Sequence, residues 1–235
     1  MNGATVENGK LNSEGNWKNG KIDGMIKTYH ENGVLKQKGV FINDLQHGIW
    51  NSFRETGEND QKSTWKNGEL NGLWESYYKN GQVEWQGNYI KDKKNGIWKC
   101  YYENGLLKIE VVYLDGKRNG ICKSYHENGQ LKWEGNYVNE KENGIWKVYY
   151  NNGQVEKEGN VIDGKEDGPW KVYYKNGQLD SEGDRKDGKR NGIWHGFHEN
   201  GAKRRKSYFN MGKITEETCW DIEGNETKCK EVVKD

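Results

Sequence analysis

The sequence is poor in proline and cysteine, and it has no long apolar run. Pro169 is the single proline, and the four cysteines include no C-x-x-C pair of the kind that binds zinc. No segment approaches the roughly 18 consecutive apolar residues of a membrane-spanning helix. No apolar segment near Met1 has the form of a signal peptide. We therefore expect neither a transmembrane helix nor a cysteine-based metal centre.

The chain also has no excess of charge of one sign. It contains 37 basic and 36 acidic residues, and its formal net charge is +1. A nucleic-acid-binding protein carries a basic footprint, so we expect no nucleic-acid partner. Hydrophobic residues make up only 31% of the chain, whereas it contains 11 Trp, 14 Tyr and 32 Gly. Aromatic rings must therefore supply most of the buried surface.

A 24-residue period runs through the chain. The glycine of an Asn-Gly or related turn recurs at Gly9, Gly33, Gly57, Gly81, Gly105, Gly129, Gly153, Gly177 and Gly201. A period of this size is typical of a repeat array in which each unit contacts only its neighbours.

Each repeat reads as a β-hairpin, because an Asn-Gly turn between alternating apolar and polar residues is a strong hairpin signal. A type I′ turn at Asn152-Gly153 pairs Tyr150 with Val155, Val148 with Lys157, and Trp146 with Gly159. The Trp ring is then expected to cover the cross-strand glycine. The same pairing recurs as Trp74 with Gly87, Trp170 with Gly183, and Trp50 with Ser63.

The alternation gives the sheet two different faces. Face A carries Trp146, Val148 and their equivalents, and we predict that it is the packed face. Face B carries Ile145, Lys147 and Tyr149 with their equivalents. We predict a Lys–Glu ladder on face B, formed by Lys99 with Glu110, Lys123 with Glu134, Lys147 with Glu158, and Lys171 with Glu182. A tyrosine row interrupts it, formed by Tyr77, Tyr101, Tyr125, Tyr149 and Tyr173.

Short Lys-Asn-Gly and Asp-Gly-Lys turns join the hairpins, and no segment has a 3.6-residue period. We therefore predict an all-β fold, an elongated single-layer antiparallel β-meander of about nine 24-residue β-hairpin repeats. Residues 1–212 form the array and residues 213–235 a capping hairpin, with Cys219 and Cys229 within bridging reach on its two arms. The third repeat, with Arg54, Asn59 and Ser63 at aberrant positions, is expected to pack most weakly.

No pattern in the sequence indicates catalysis, a cofactor or a metal. His30, His126 and His198 occupy the repeat position that holds Tyr in other repeats, so we interpret them as packing residues. His195 and His198 are three residues apart on a strand and should point to opposite faces. Cys100 and Cys122 read as small core residues. We predict that the protein is not an enzyme.

The pattern G-x-W-x-x-Y-Y-x-N-G-x-L-x-x-x-G-x-Y, with D-G-K-x-x-G between copies, resembles the MORN-repeat variant family. Gly96-Ile97-Trp98, Tyr101 to Gly105 and Tyr113 to Lys117 carry the resemblance, which extends over residues 3 to about 210. The bacterial branch of that family contains YwqK-family antitoxins of toxin–antitoxin systems. The resemblance implies a non-enzymatic β-meander that contacts other proteins, and in some MORN arrays membrane lipid.

Three functions stay open at this stage. A protein-interaction scaffold, with an unidentified partner such as a toxin, would use the tyrosine row of face B. A glycan- or cell-wall-binding module would stack sugars on exposed rings, although the repeats of such modules recur near 20 residues. Membrane-lipid association is disfavoured by the near-zero net charge. The compartment is also open, either the bacterial cytoplasm or, if an upstream signal was removed, the periplasm or cell surface.

Overall fold

A computed structural model describes residues 2–7 and 10–229, and these contain strands and turns but no helix. The strands are β1 (Asn2–Glu7), β2 (Lys10–Lys18), β3 (Lys21–Tyr29), β4 (Leu35–Ile42), β5 (Leu45–Phe53), β6 (Asn59–Lys66), β7 (Glu69–Tyr77), β8 (Val83–Ile90), β9 (Lys93–Tyr101), β10 (Leu107–Leu114), β11 (Lys117–Arg118), β12 (Gly120–Tyr125), β13 (Leu131–Val138), β14 (Lys141–Glu142), β15 (Gly144–Tyr149), β16 (Val155–Ile162), β17 (Lys165–Tyr173), β18 (Leu179–Lys186), β19 (Lys189–Phe197), β20 (Lys203–Asn210), β21 (Lys213–Trp220) and β22 (Glu226–Thr227).

The chain divides into two compact units, Met1–Lys117 and Arg118–Asp235, which we call the N-terminal and C-terminal units. In the N-terminal unit each strand from β1 to β10 pairs antiparallel with the next, as β3 does with β4 and β9 with β10. In the C-terminal unit the same up-and-down order runs from β12 to β22. The predicted all-β antiparallel meander of hairpin repeats is therefore confirmed within each unit.

The turn at the hairpin tip differs from the predicted type I′ geometry. The carbonyl of Tyr150 accepts a hydrogen bond from the amide of Gly153 (3.0 Å), and the amide of Tyr150 donates to the carbonyl of Gln154 (2.8 Å). Gly153 has φ +85°, whereas Asn152 is not in the left-handed region that a type I′ turn requires at both central positions. The tip is a three-residue loop, in which a type I turn is followed by a left-handed glycine. At the tip this loop shifts the register by one residue, so Val155 faces Tyr149 and not Tyr150. An irregularity between Val148 and Tyr149 restores the predicted register, in which Val148 faces Lys157.

The type I′ turns lie instead between the hairpins. Asp163 and Gly164 join β16 to β17 with φ +51° and +83°, so both central residues are left-handed. Where glycine is absent from the second position, a carboxylate stabilises the loop. Asp44, at φ +68°, accepts a hydrogen bond from the amide of Ile22 (2.6 Å), and Asp92 accepts one from the amide of Leu70 (2.7 Å). The short connections predicted from the sequence are thus confirmed, and they carry the tighter turn type.

Face A is the packed face in both units. Trp50 and Trp98 in the N-terminal unit, and Trp170 and Trp194 in the C-terminal unit, are 1–4% exposed. The predicted registers Trp146 with Gly159 and Trp170 with Gly183 are present. However, each ring covers the glycine of the preceding strand and not that of its own hairpin.

Gly159 shows this correction most clearly. A Cβ on Gly159 would lie 2.2 Å from Cδ2 of Trp170, whereas Trp146 covers Gly135. The ladder between β16 and β17 shifts register between Gly159 and Val161, so Asn160 is left out of that ladder. Its carbonyl accepts a hydrogen bond from the indole Nε1 of Trp170 (3.1 Å), which draws the ring toward β16. Each strand has two neighbouring strands, and the alternation of apolar and polar residues does not determine which of the two a Trp ring packs against.

The atypical third repeat keeps one contact of the regular pattern through a different side chain. In regular repeats the Tyr or His that begins the hairpin-tip loop contacts a backbone carbonyl of the next repeat. Tyr150 Oη, for example, donates to the carbonyl of Tyr173 (2.7 Å). Arg54 occupies this position and donates from Nη2 to the carbonyl of Tyr77 (2.5 Å). Ser63, which replaces the covered glycine, is buried and accepts a hydrogen bond from Nε1 of Trp65 (2.8 Å).

Candidate interaction surface

Face B presents a row of exposed aliphatic side chains at the same position of seven repeats, and Pro169 holds that position in the repeat between Ile145 and Ile193. In the N-terminal unit these are Met25, Ile49, Leu73 and Ile97, and in the C-terminal unit they are Ile121, Ile145 and Ile193. Each precedes the Trp position of its repeat, so the alternation of the strand places it on the opposite face. Ile97 is 52% exposed and Ile145 is 58% exposed. The fold therefore leaves exposed a regular set of the few aliphatic residues that the chain contains.

The Lys–Glu ladder predicted on face B is present. Nζ of Lys147 lies 3.1 Å from a carboxylate oxygen of Glu158. The other predicted pairs are Lys99 with Glu110 at 3.6 Å, Lys123 with Glu134 at 3.8 Å, and Lys171 with Glu182 at 3.8 Å. The side chains are between about a quarter and a half exposed, so solvent screens these pairs and each adds little to stability. They alternate positive and negative charge beside the aliphatic row.

The tyrosine row is half-buried, and some of its hydroxyls form hydrogen bonds with glutamates of the Lys–Glu ladder. Tyr149 Oη donates to Oε1 of Glu134 (2.8 Å), and Tyr173 Oη donates to Oε1 of Glu158 (2.8 Å). Burial, and then the hydrogen bond to the carboxylate, raises the pKa of each phenol to about 12. These tyrosines therefore stay neutral near pH 7, and they offer ring surface to a partner more readily than a free hydroxyl.

The rest of the tyrosine row follows the same plan. Tyr77 Oη donates to Oε2 of Glu75 (2.9 Å). Tyr101 Oη accepts a hydrogen bond from Nε2 of Gln86 (2.7 Å). Tyr125 is half-buried at the equivalent position of its own repeat. The predicted partner-binding tyrosines thus share one face with the aliphatic row, and the structure leaves their binding role as a prediction.

The aliphatic row was not among the predicted site residues. Its signal was present as the recurring Gly-Ile-Trp tripeptide, but an isoleucine in a strand is equally typical of a buried core. Only the placement of the Trp rings at the repeat position on face A, with no second layer over face B among the described residues of either unit, makes the row accessible. The candidate interaction surface of each unit is therefore face B, with aliphatic, aromatic and charged rows side by side.

His30 and His198 make hydrogen bonds that connect neighbouring repeats. Nε2 of His30 lies 2.8 Å from the carbonyl of Phe53, and Nε2 of His198 lies 3.1 Å from that of Trp220. These contacts match those of the equivalent tyrosines, which supports the interpretation of the histidines as aromatic substitutes. His195 lies in β19 opposite Glu182 and Lys206, on the face opposite Trp194.

The cysteines fall into two classes. Cys219 and Cys229 form a disulfide with a Cα–Cα distance of 5.2 Å, and it closes the β21–β22 hairpin. Cys100 and Cys122 are outside any disulfide and are buried on face A. One group of three possible metal ligands occurs in the described part of the chain, formed by Glu217 with Cys219 and Cys229. Because the two sulfurs are bonded to each other, they are not thiolate ligands in this state.

A family profile described as MORN repeat variant matches six segments of 22 residues, which together exceed half of the chain. The segments are 22–43, 70–91, 94–115, 118–139, 142–163 and 166–187. The chain belongs to the MORN repeat variant family. Repeats of this family commonly act as protein- or membrane-binding modules. No helix able to span a membrane is found among residues 2–7 and 10–229.

The other comparisons add little to this assignment. A search of the curated proteins finds no match. Among solved structures, TcdB2-TccC3 aligns with 90% of this MORN repeat chain at 12% identity and a TM-score of 0.25. TcdB2-TccC3-Cdc42 aligns with 90% at 11% identity and a TM-score of 0.23. The chain spans 13% of the length of each matched chain, and similarity at this level carries no argument.

Proposed function

We propose that this MORN repeat protein is a non-enzymatic scaffold that binds a protein partner through face B. The observation that carries the proposal is the aliphatic row, whose members are exposed at the same position of every repeat from Met25 to Ile193 except that of Pro169. Single exposed aliphatic residues need no explanation, but here they recur on alternate strands of one face, with cross-strand polar residues such as Asn88 opposite Leu73 and Asn136 opposite Ile121. A regular apolar set among polar groups is typical of an interaction site.

The neighbouring rows fit a protein partner. Tyrosine supplies large, rigid contact area and is enriched at protein interfaces. The Lys–Glu ladder gives the face alternating charge, which favours a partner with its own mixed charges and fixes the register of docking more than the affinity. The near-zero net charge disfavours an anionic membrane surface as the main partner.

The finer form of the proposal is that the partner is a toxin, which the protein neutralises as an antitoxin or immunity protein. Its support is the resemblance to the YwqK-family branch alone. A glycan partner is the second candidate, because Tyr125, Tyr149 and Tyr173 lie on face B of the C-terminal unit, where exposed ring surfaces would stack on sugars. The two candidates differ in the side chains that they would contact. A glycan would stack on the tyrosine rings alone, whereas a protein would also contact the aliphatic row.

Affinity capture with matched variants tests the proposal. The full chain is immobilised and incubated with lysate and envelope fractions, and the captured molecule is purified and titrated against each variant. Changing Ile121, Ile145 and Ile193 of the C-terminal unit together to Thr keeps β-branched side chains but removes apolar surface. We expect affinity for a protein partner to fall at least tenfold, which corresponds to about 1.4 kcal/mol.

The control is Leu106→Thr, since Leu106 is an exposed aliphatic residue (43%) at a hairpin tip and outside the row. We expect it to leave affinity unchanged. Capture of a polysaccharide or of lipid, with affinity unaffected by the triple Thr variant, would replace the proposal by one of the alternatives. Circular dichroism of each variant checks that the fold is intact.

A further inference from the structure

The column of Trp rings on face A ends before the C-terminal cap, and a cavity lies where the next ring would be. Trp194 is the last Trp at the repeat position, and the residue 24 positions later is Thr218. Ser207, opposite Trp194 in β20, is paired on its other side with Glu217 in β21. A cavity of about 760 Å³ opens here, entirely within the C-terminal unit.

Gly196 enlarges the cavity. Other repeats place Thr, Ser, Cys or Val at this position, with Val148 and Val172 in the two preceding copies. Gly196 is buried, and its φ is not in the left-handed region, so backbone geometry does not require glycine there. A Cβ at this position would lie 3.4 Å from Cβ of Arg205 and 3.5 Å from Nη2 of Arg204, which is ordinary contact. The missing side chain therefore leaves room for a ligand beside two guanidinium groups.

Ser207 contributes to the cavity lining a polar group that has no hydrogen-bond partner in the described part of the chain. The residue is 1% exposed, and its Oγ forms no hydrogen bond among the described residues. Buried hydroxyls are nearly always hydrogen-bonded, so an unpaired one that lines a cavity indicates a missing partner. Most repeats have glycine at this position, where no hydroxyl is needed for packing.

Positive charge dominates the lining. Arg190, Arg204, Arg205 and Lys228 line the cavity together with two carboxylates, Asp180 and Asp221. Both carboxylates are already engaged. Asp180 accepts from Nη2 of Arg204 (2.8 Å), and Oδ1 of Asp221 accepts from the amide of Asn225 (2.7 Å).

Arg190 is a cation of the lining that forms no ion pair with another described side chain, although the charge of Asp180 acts on it. Its guanidinium lies 4.2 Å from the ring centroid of Trp194. Burial, and then the nearby charge of Arg185, lowers the pKa of Arg190. A guanidinium held over an aromatic ring is also fixed in orientation, which suits it to bind an oxyanion with two parallel hydrogen bonds.

We infer that this cavity binds a small organic anion, whose carboxylate or phosphate group contacts Arg190 and the hydroxyl of Ser207. The cavity has the size of a small-molecule site and is much larger than a bare inorganic ion. Carboxylate and phosphate share the chemistry that Arg190 and Ser207 recognise, so the two are separated by experiment. This site lies on face A and is independent of the proposed partner surface on face B.

Isothermal titration of the full chain in about 0.15 M salt, close to physiological ionic strength, tests the inference. The probes are benzoate, phenyl phosphate and inorganic phosphate. We expect one-to-one binding of benzoate or phenyl phosphate with Kd of about 1 mM or tighter, and weaker binding of inorganic phosphate. Tighter benzoate binding identifies a carboxylate ligand, and tighter phenyl phosphate binding identifies a phosphate ligand.

Three variants locate the site. Arg190→Gln should weaken binding about tenfold or more, because it removes a charged hydrogen-bond donor. Gly196→Val should abolish binding by occupying the cavity. Ser207→Gly, which restores the usual residue of the repeat, should weaken binding severalfold while keeping the fold. Because each variant acts differently on packing, the loss of one to misfolding leaves the other two as tests.

Lys94→Gln is the matched control. Lys94 holds the same repeat position as Arg190, and its Nζ also lies 4.2 Å from the centroid of its Trp ring, that of Trp98. We expect this variant to bind within twofold of the unaltered protein. Absence of binding by all three probes overturns the inference. Equal weakening by Arg190→Gln and Lys94→Gln also overturns it, because the attraction would then be general and not local.

Discussion

Replacing Trp98 by Ala should destabilise the N-terminal unit far more than replacing its neighbour Lys99. Trp98 is 1% exposed and packs over Gly87 on face A. Its ring centroid lies 5.6 Å from that of Trp74 and 5.1 Å from that of Tyr89. The indole Nε1 also donates to the carbonyl of Asn88 (3.1 Å). The truncation removes all of these contacts together.

The magnitudes follow from burial. Truncation of a buried Trp to Ala costs about 3–5 kcal/mol, and the aromatic pairs place Trp98 toward the upper end. Lys99 lies on face B, where its ammonium is 3.6 Å from Glu110 and the two side chains are 37% and 27% exposed. Such a partly solvated pair contributes less than about 1 kcal/mol. Two adjacent residues should therefore differ at least threefold in their effect.

Urea denaturation followed by far-UV circular dichroism measures the difference. With an m-value of roughly 2–3 kcal/mol/M, Trp98→Ala should lower the midpoint by about 1–2.5 M, and Lys99→Ala by less than about 0.5 M. Repeat arrays can unfold in more than one step. The comparison therefore uses the midpoint of the transition that the Trp98 substitution shifts. Equal losses for the two variants would refute the assignment of face A as the packed face.

Three other predictions concern packing, titration and the disulfide. Gly87→Ala should cost about 1–3 kcal/mol by overpacking, and close to nothing when Trp98 is already Ala, because its Cβ would lie 2.2 Å from that ring; additive losses in a double-mutant cycle contradict the close contact. Since the fold raises the pKa of Tyr173 from 10.0 to about 12, the neutral phenol is favoured in the folded state. Its contribution to stability is complete below about pH 10 and lost as the pH rises through 12, so Tyr173→Phe should flatten the decline of the melting temperature over that range, and an unchanged decline would contradict it. Mass spectrometry of the unreduced protein should find one disulfide, between Cys219 and Cys229, and two free thiols; reduction should destabilise the cap by about 2–3 kcal/mol, and a link between the two other cysteines would overturn the strand register.

The 24-residue period was enough to predict the hairpin repeat, the antiparallel meander and the partition of residues between two faces. These features depend on alternation, which the sequence shows directly. The predicted turn type at Asn152-Gly153 was wrong, because the Asn-Gly dipeptide suits both a type I′ turn and a type I turn followed by a left-handed glycine. The direction in which Trp170 leans was also missed, since it depends on which neighbouring strand frees a carbonyl for the indole.

The candidate sites were less accessible to sequence reasoning. The exposed position of Ile97 and its equivalents depends on the absence of a second layer over face B in each unit, and residue type alone does not show this. The cavity near Arg190 depends on the coincidence of Gly196 and Ser207 on adjacent strands, which follows only from the register. The Lys147–Glu158 pair, in contrast, is a direct cross-strand neighbour and was predicted from the hairpin alone.

The central claim is that face B is the partner-binding surface and that face A holds the fold together. Hydroxyl-radical footprinting, read by mass spectrometry with and without the purified captured partner, tests it most directly. We expect protection at Ile97, Ile145 and Tyr149, while Leu106 at a hairpin tip keeps its reactivity. Protection confined to Leu106 and the other hairpin tips, with the face B residues unchanged, would contradict the account.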